Sequence, residues 1–191
     1  MKPRCNAPLP NGTLLDYWAH ELADGDKTDH VEEHLFTCGD CAARLQDMVS
    51  LGTGLTALVR RGRVTGIVSR SLLNRMQRDG VQVRLYSLLP GETVPCACFP
   101  GDDLVVASLR ADFSGVDAVT LAVTGPGASP MSAFDDAPVS GPGGEVLFAL
   151  PGAVARQLPS MRLVLTLVSS GPTRAELGRY VLDHSALQPP M

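Results

Sequence analysis

Eight residues, His34-Leu35-Phe36-Thr37-Cys38-Gly39-Asp40-Cys41, constrain this chain more than any other stretch. They spell H-x3-C-x2-C. On a helix over residues 29–38, His34 and Cys38 stand one turn apart on one face. Gly39 then ends that helix in a left-handed cap and returns Cys41 to the same point. A tetrahedral Zn2+ takes thiolate sulfur at about 2.3 Å and imidazole nitrogen at about 2.0 Å. Three soft donors converging on a helix end suit that ion better than they suit two buried cysteines and a surface histidine.

Three donors leave one corner of a tetrahedron open. Residues 1–12 hold three prolines and Asn11-Gly12, so they read as an irregular lead, and Cys5 lies within it. Cys5 is the leading candidate for the fourth ligand. His30, one turn before His34, is the alternative, although its place on the helix suits an exposed face better.

Upstream of the motif stand Leu15-x-Tyr17 and Glu21-Leu22. Y-x3-E-L followed by H-x3-C-x2-C resembles the zinc-binding anti-sigma domain, over roughly residues 5–80. The resemblance implies a small helical domain that binds an extracytoplasmic-function sigma factor and holds it away from RNA polymerase. It also implies zinc ligation by His34, Cys38 and Cys41 with a Cys or His further upstream. His20 stands where that family often has Gly, which makes it a poor ligand.

Four helices are expected in residues 1–80. Thr13 caps the first, Leu14 to Ala23, whose apolar stripe is Leu14, Leu15, Trp18 and Leu22. Asp24-Gly25-Asp26 is a turn. Thr28 or Asp29 caps the second helix, which carries Val31, His34, Leu35 and Cys38. The third runs from Cys41 to about Arg60, with Gly52 and Gly54 each weakening it by up to about 1 kcal/mol relative to Ala. Arg61-Gly62-Arg63 breaks the chain before a fourth helix, Val64 to Arg78. Its apolar residues Ile67, Leu72, Leu73 and Met76 need a partner and are candidate anchors for the sigma factor, with Arg75 as a steering charge.

After Gly80 the apolar period changes from 3.6 to 2. Strands are expected at Val81–Leu88, Thr93–Phe99, Leu104–Ala111, Ala118–Val123, Glu145–Leu150, Arg162–Val168 and Glu176–Leu182. Pro- and Gly-rich turns separate them. Phe134 to Pro138 reads as loop or irregular edge, and residues 152–160 as one helical turn. The expected fold class is α+β in two domains: a helical zinc-binding domain over 1–80 and an antiparallel β-sandwich over 81–191 that senses a signal or mediates assembly.

Charge and composition narrow the function. Residues 1–40 hold eight acids against Lys2, Arg4 and Lys27, while residues 60–84 hold seven arginines against Asp79 alone. The net charge of −4 does not mark a polyanion binder, and no stacking aromatics or recognition motif support direct nucleic-acid contact. No apolar run reaches the roughly 18 residues of a membrane span, and no signal core follows the N-terminus. Together with an odd number of cysteines, this leads us to expect a cytoplasmic protein. Cys96 and Cys98 share one side of a strand, yet the single histidine of that half, His184, supplies a metal centre poorly. No nucleophile elbow or phosphate loop is present, so no enzyme is expected. The runner-up reading is a thiol redox- or metal-responsive zinc switch, or an interaction module without a sigma partner.

Overall fold

The computed structural model describes residues 5–22, 24–139, 144–171 and 174–186. The turn signals over 141–143 and at Pro172, and the helix end expected at Ala23, lie outside these residues. The chain divides into two compact units: one from residues up to Leu58 plus Arg70–Gly80, the other from Val59–Ser69 plus the residues after Gly80.

The first unit is helical: α1 (Asn11–Trp18), α2 (Gly25–Thr37), most of α3 (Gly39–Arg60), and α4 (Arg70–Arg78). α1 begins three residues before the expected Leu14 and ends at Trp18, five residues before the expected Ala23. Pro10 sits at its N-cap, and no side chain caps it. α2 is capped by Asp24, whose carboxylate accepts from the Asp26 N–H at 3.2 Å, rather than by Thr28 or Asp29. Leu9, Leu14, Val31 and Cys41 form the buried centre, with Tyr17, Leu22, Leu35, Leu45 and Met48 packed around them. Of the expected stripe, Leu14 and Trp18 are buried on α1, while Leu22 packs on this centre from beyond the helix end.

The expected fourth helix is only partly helical. Gly66–Val68 is a strand, β1, which pairs antiparallel with β7 (Glu145–Pro151), and helix begins at Arg70. Ile67 sits opposite Phe148 and packs on the core of the second unit. Ile67 and Val68 are β-branched, and three-residue pairing to a sheet edge overrides a helical pattern that short.

The second unit holds two sheets. One has the order β1-β7-β4-β2, with β2 at Val83–Leu88 and β4 at Leu104–Arg110. The other has the order β3-β9-β8-β5-β6: β3 Thr93–Cys96, β5 Ala118–Thr124, β6 Pro130–Pro138, β8 Met161–Ser169 and β9 Glu176–His184. Of the two readings of Phe134 to Pro138, loop or irregular edge, the edge is what forms: the segment ends edge strand β6, whose pairing with β5 has register shifts. A single turn of helix, α5 (Gly152–Ala155), follows β7. Leu109, Val146 and Phe148 of the first sheet share one buried core with Leu121, Leu165, Tyr180 and Leu182 of the second.

The sheets are not wholly antiparallel. β2 pairs parallel with β4, Val83 opposite Leu104, and β3 pairs parallel with β9, Thr93 opposite Val181. The reason is topological. β3 leaves β2's sheet for the other one, so β4 returns beside β2 running in the same direction, as crossover connections do.

Candidate metal centre

The local fold around the motif differs from a simple capped helix. α2 ends at Thr37, and Cys38 takes an extended conformation (φ −113°, ψ 99°). Gly39 does not terminate α2 in a left-handed cap; it opens α3. Cys38 is therefore the hinge between two helices and stands just before the N-terminus of α3. Its sulfur accepts backbone N–H groups of Cys41 and Asp40, as an N-capping side chain would. Those hydrogen bonds, the Cys41 one foremost, pull the Cys38 thiol below its ordinary range, helped by a hydrogen bond from Cys5. A sulfur at a helix N-terminus is predisposed to be thiolate, the form that binds metal.

Cys5, His34, Cys38 and Cys41 converge. One donor atom from each lies within 4.8 Å of the others. His34 Nε2 is 3.6 Å from Cys5 Sγ and 3.3 Å from Cys41 Sγ, and the two sulfurs stand 4.0 Å apart. Tetrahedral zinc bond lengths place sulfurs about 3.8 Å apart, and sulfur and nitrogen about 3.5 Å apart. The observed separations match that shape. The sulfurs are too far apart for a disulfide, whose bond is about 2.05 Å, and all five cysteines are free. As free thiols the group shares protons: Cys5 is pushed up to about 11, chiefly because its S–H is held by Cys38. The group could hold a metal ion such as zinc, which would replace those protons and tie the lead, the end of α2 and the start of α3 together. His30 is exposed and lies outside the group.

Further side chains hold the site in shape. Asp40 Oδ2 accepts from the Cys5 N–H at 3.1 Å. Arg44, one turn beyond Cys41, donates to the Leu9 carbonyl at 2.9 Å and to the Asn11 side-chain oxygen, and approaches Cys41 Sγ at 3.8 Å. Arg44 thus pins the lead that carries Cys5 and places positive charge beside the sulfurs, where three thiolates would outweigh a bound divalent ion by one charge. Sequence reasoning missed Arg44. The signal was its spacing, three residues after Cys41 and hence on the same face.

The Y-x3-E-L residues are bracing. Tyr17 packs on the core beneath the site and donates to Glu32 at 3.3 Å. Glu21 accepts from Ser71 Oγ at 2.7 Å and Asn74 Nδ2 at 2.6 Å, which holds its carboxyl below the usual range and ties α4 to the α1 end. Arg75 lies over the Trp18 ring, and Arg78 donates to the Ala19 carbonyl. His20 has φ +54°, the left-handed region that glycine favours.

Of the candidate partner anchors, Leu73 and Met76 are 1% exposed and Leu72 and Arg75 are half-buried. Among the described residues of the helical unit, the large apolar side chains left open are instead Phe36, 90% exposed, Leu51, 66%, and Leu58. Cys96 and Cys98 are both buried, and no helix among the described residues is long and apolar enough to cross a membrane. No protein-family model matches this chain, and no curated protein matches it either.

Proposed function

We propose that this chain is an anti-sigma factor: its helical unit, pinned by one Zn2+, binds an extracytoplasmic-function sigma factor and keeps it from RNA polymerase. The observation that carries this reading is the four-donor group, in which the H-x3-C-x2-C residues meet Cys5 inside a helical unit braced by Tyr17 and Glu21. Together these residues carry the resemblance to zinc-binding anti-sigma domains. Phe36 and Leu51 are the anchors we assign, because they are apolar, exposed and on the helices the metal joins, while Leu73 and Met76 are engaged in the chain's own packing. The second unit we read as a β-sandwich with a sensing or assembly role, since its two sheets share one core. The protein acts by occlusion and catalyses nothing, and its place is the cytoplasm, where its partner is.

The test is co-expression with an extracytoplasmic-function sigma factor encoded beside it, followed by purification through a tag on this chain. A stable complex is expected, with sigma-dependent transcription suppressed. Phe36→Ala and Leu51→Ala should each weaken the complex by more than tenfold, the cost of removing a central apolar anchor, and leave zinc content unchanged. A sigma factor that does not co-purify, with the chain zinc-loaded and folded, overturns the reading.

A further inference from the structure

The second unit carries an unassigned pair of soft donors beside an internal cavity. Cys96 ends β3 and His184 ends β9, and the parallel register puts them directly opposite each other. Cys96 Sγ lies 3.8 Å from His184 Nδ1, and both residues are more than nine-tenths buried. They line a cavity of about 30 Å³, roughly twice what one water molecule needs. Apart from Cys98, the remaining lining side chains are hydrocarbon, with Ala107, Phe148, Leu163 and Leu182 among them. Among the described residues, buried His184 Nε2 has no hydrogen-bond partner, which is rare for a native buried polar atom. Cys98 also lines the cavity, but its sulfur is turned to the Gly152 carbonyl at 3.5 Å and to Arg156 at 3.6 Å.

We propose that Cys96 and His184 form a binding site for a soft monovalent metal ion of the Cu(I) type. Thiolate and imidazole are both donors that such an ion takes readily. The charge settles the valence. Binding replaces the Cys96 S–H bond with a sulfur–metal bond and releases one proton to solvent; one thiolate, one neutral imidazole and one monovalent cation sum to zero. A neutral complex is at home in a carbon-lined cavity. A divalent ion with the same donors would leave a net positive charge there, which low-dielectric surroundings penalise. Zinc also asks for four ligands, and this pair offers two. Both strands meet at an edge of their sheet, with β3 outermost, so the ion need not cross the core to arrive.

Ag(I), which has the same valence and softness and no redox chemistry under these conditions, is the probe. The zinc-loaded full chain is titrated with Ag(I) and read by native mass spectrometry, with circular dichroism confirming that each variant is folded. Wild type should hold one more silver ion than Cys96→Ser, and His184→Gln should release that ion at least tenfold more readily to a competing thiol. Cys98→Ala should bind as wild type does, which separates this site from sulfur content alone. Equal silver counts in wild type and Cys96→Ser would overturn the proposal. So would unchanged retention in His184→Gln, which would reduce the site to a single cysteine.

Discussion

The six-membered ring of Trp18 fills the space that a β-carbon on Gly52 would need. α1 and α3 touch through this contact, backbone against indole, and only glycine permits it. The helix-weakening character of Gly52 is therefore tolerated for the sake of packing.

Gly52→Ala should destabilise the helical unit even though alanine is the better helix former. The propensity gain is at most about 1 kcal/mol, whereas forcing Trp18 to repack should cost about 1–3 kcal/mol. A urea titration followed by Trp18 fluorescence should give a lower midpoint. Gly54→Ala, where a β-carbon meets open space, should raise it.

Cys38→Ser should abolish stoichiometric metal binding, since Cys38 supplies both a donor and the hinge between α2 and α3. Zinc measured on purified protein should fall from one equivalent to a trace. Stripping the wild type with a chelator should reduce helical circular dichroism, because the metal favours only the folded chain. His30→Ala should keep the full equivalent.

Arg44→Ala should leave the four donors in place but loosen the lead. We expect zinc affinity to fall about 10- to 100-fold, the usual effect of losing an outer partner of a metal ligand. Competition against a chromophoric chelator reads this directly. Arg44→Lys should recover little, because one ammonium cannot reach both the Leu9 carbonyl and the Asn11 side chain.

Asp102 should make the second unit sensitive to acid. Burial alone would raise its carboxyl, but hydrogen bonds from Arg84, at 2.6 and 3.1 Å, and from the Phe99 N–H, at 2.7 Å, prevail and hold it below the usual range. A carboxyl lowered on folding stabilises above its unfolded value of about 4 and loses that contribution as pH falls through the folded value. Amide-exchange protection in β4 should therefore decline below about pH 4. Asp102→Asn should cost about 1–3 kcal/mol at neutral pH and flatten the acid limb.

The four-donor group was legible because ligand spacing is local. His34, Cys38 and Cys41 lie within eight residues, and any compact path brings them close. Cys5 followed from the empty fourth corner. The hinge was not legible, since Gly39 suits a cap and only the sulfur of Cys38 accepting two α3 amides shows why α3 starts there instead. β1 was hidden because Ile67 and Val68 fit a helical stripe as well as a strand, and the partner that decides, β7, lies some eighty residues away. β6 was only half legible, its second half as a loop or irregular edge, because Pro130, Asp135 and Asp136 interrupt any alternation. Parallel pairing could not be read from the strands themselves; it depends on which sheet β3 joins.

Because Val59–Ser69 belongs to the second unit while the residues on both sides of it belong to the first, the chain passes between the units three times. No single cut separates them. A fragment starting at Val81 would leave the Leu147–Ala149 edge of β7 without β1, and a fragment ending at Gly80 would carry β1 with nothing to pair. The two units must then be inherited, expressed and engineered as one piece. Exchanging either for another protein's unit calls for a graft at all three crossings rather than a fusion at one.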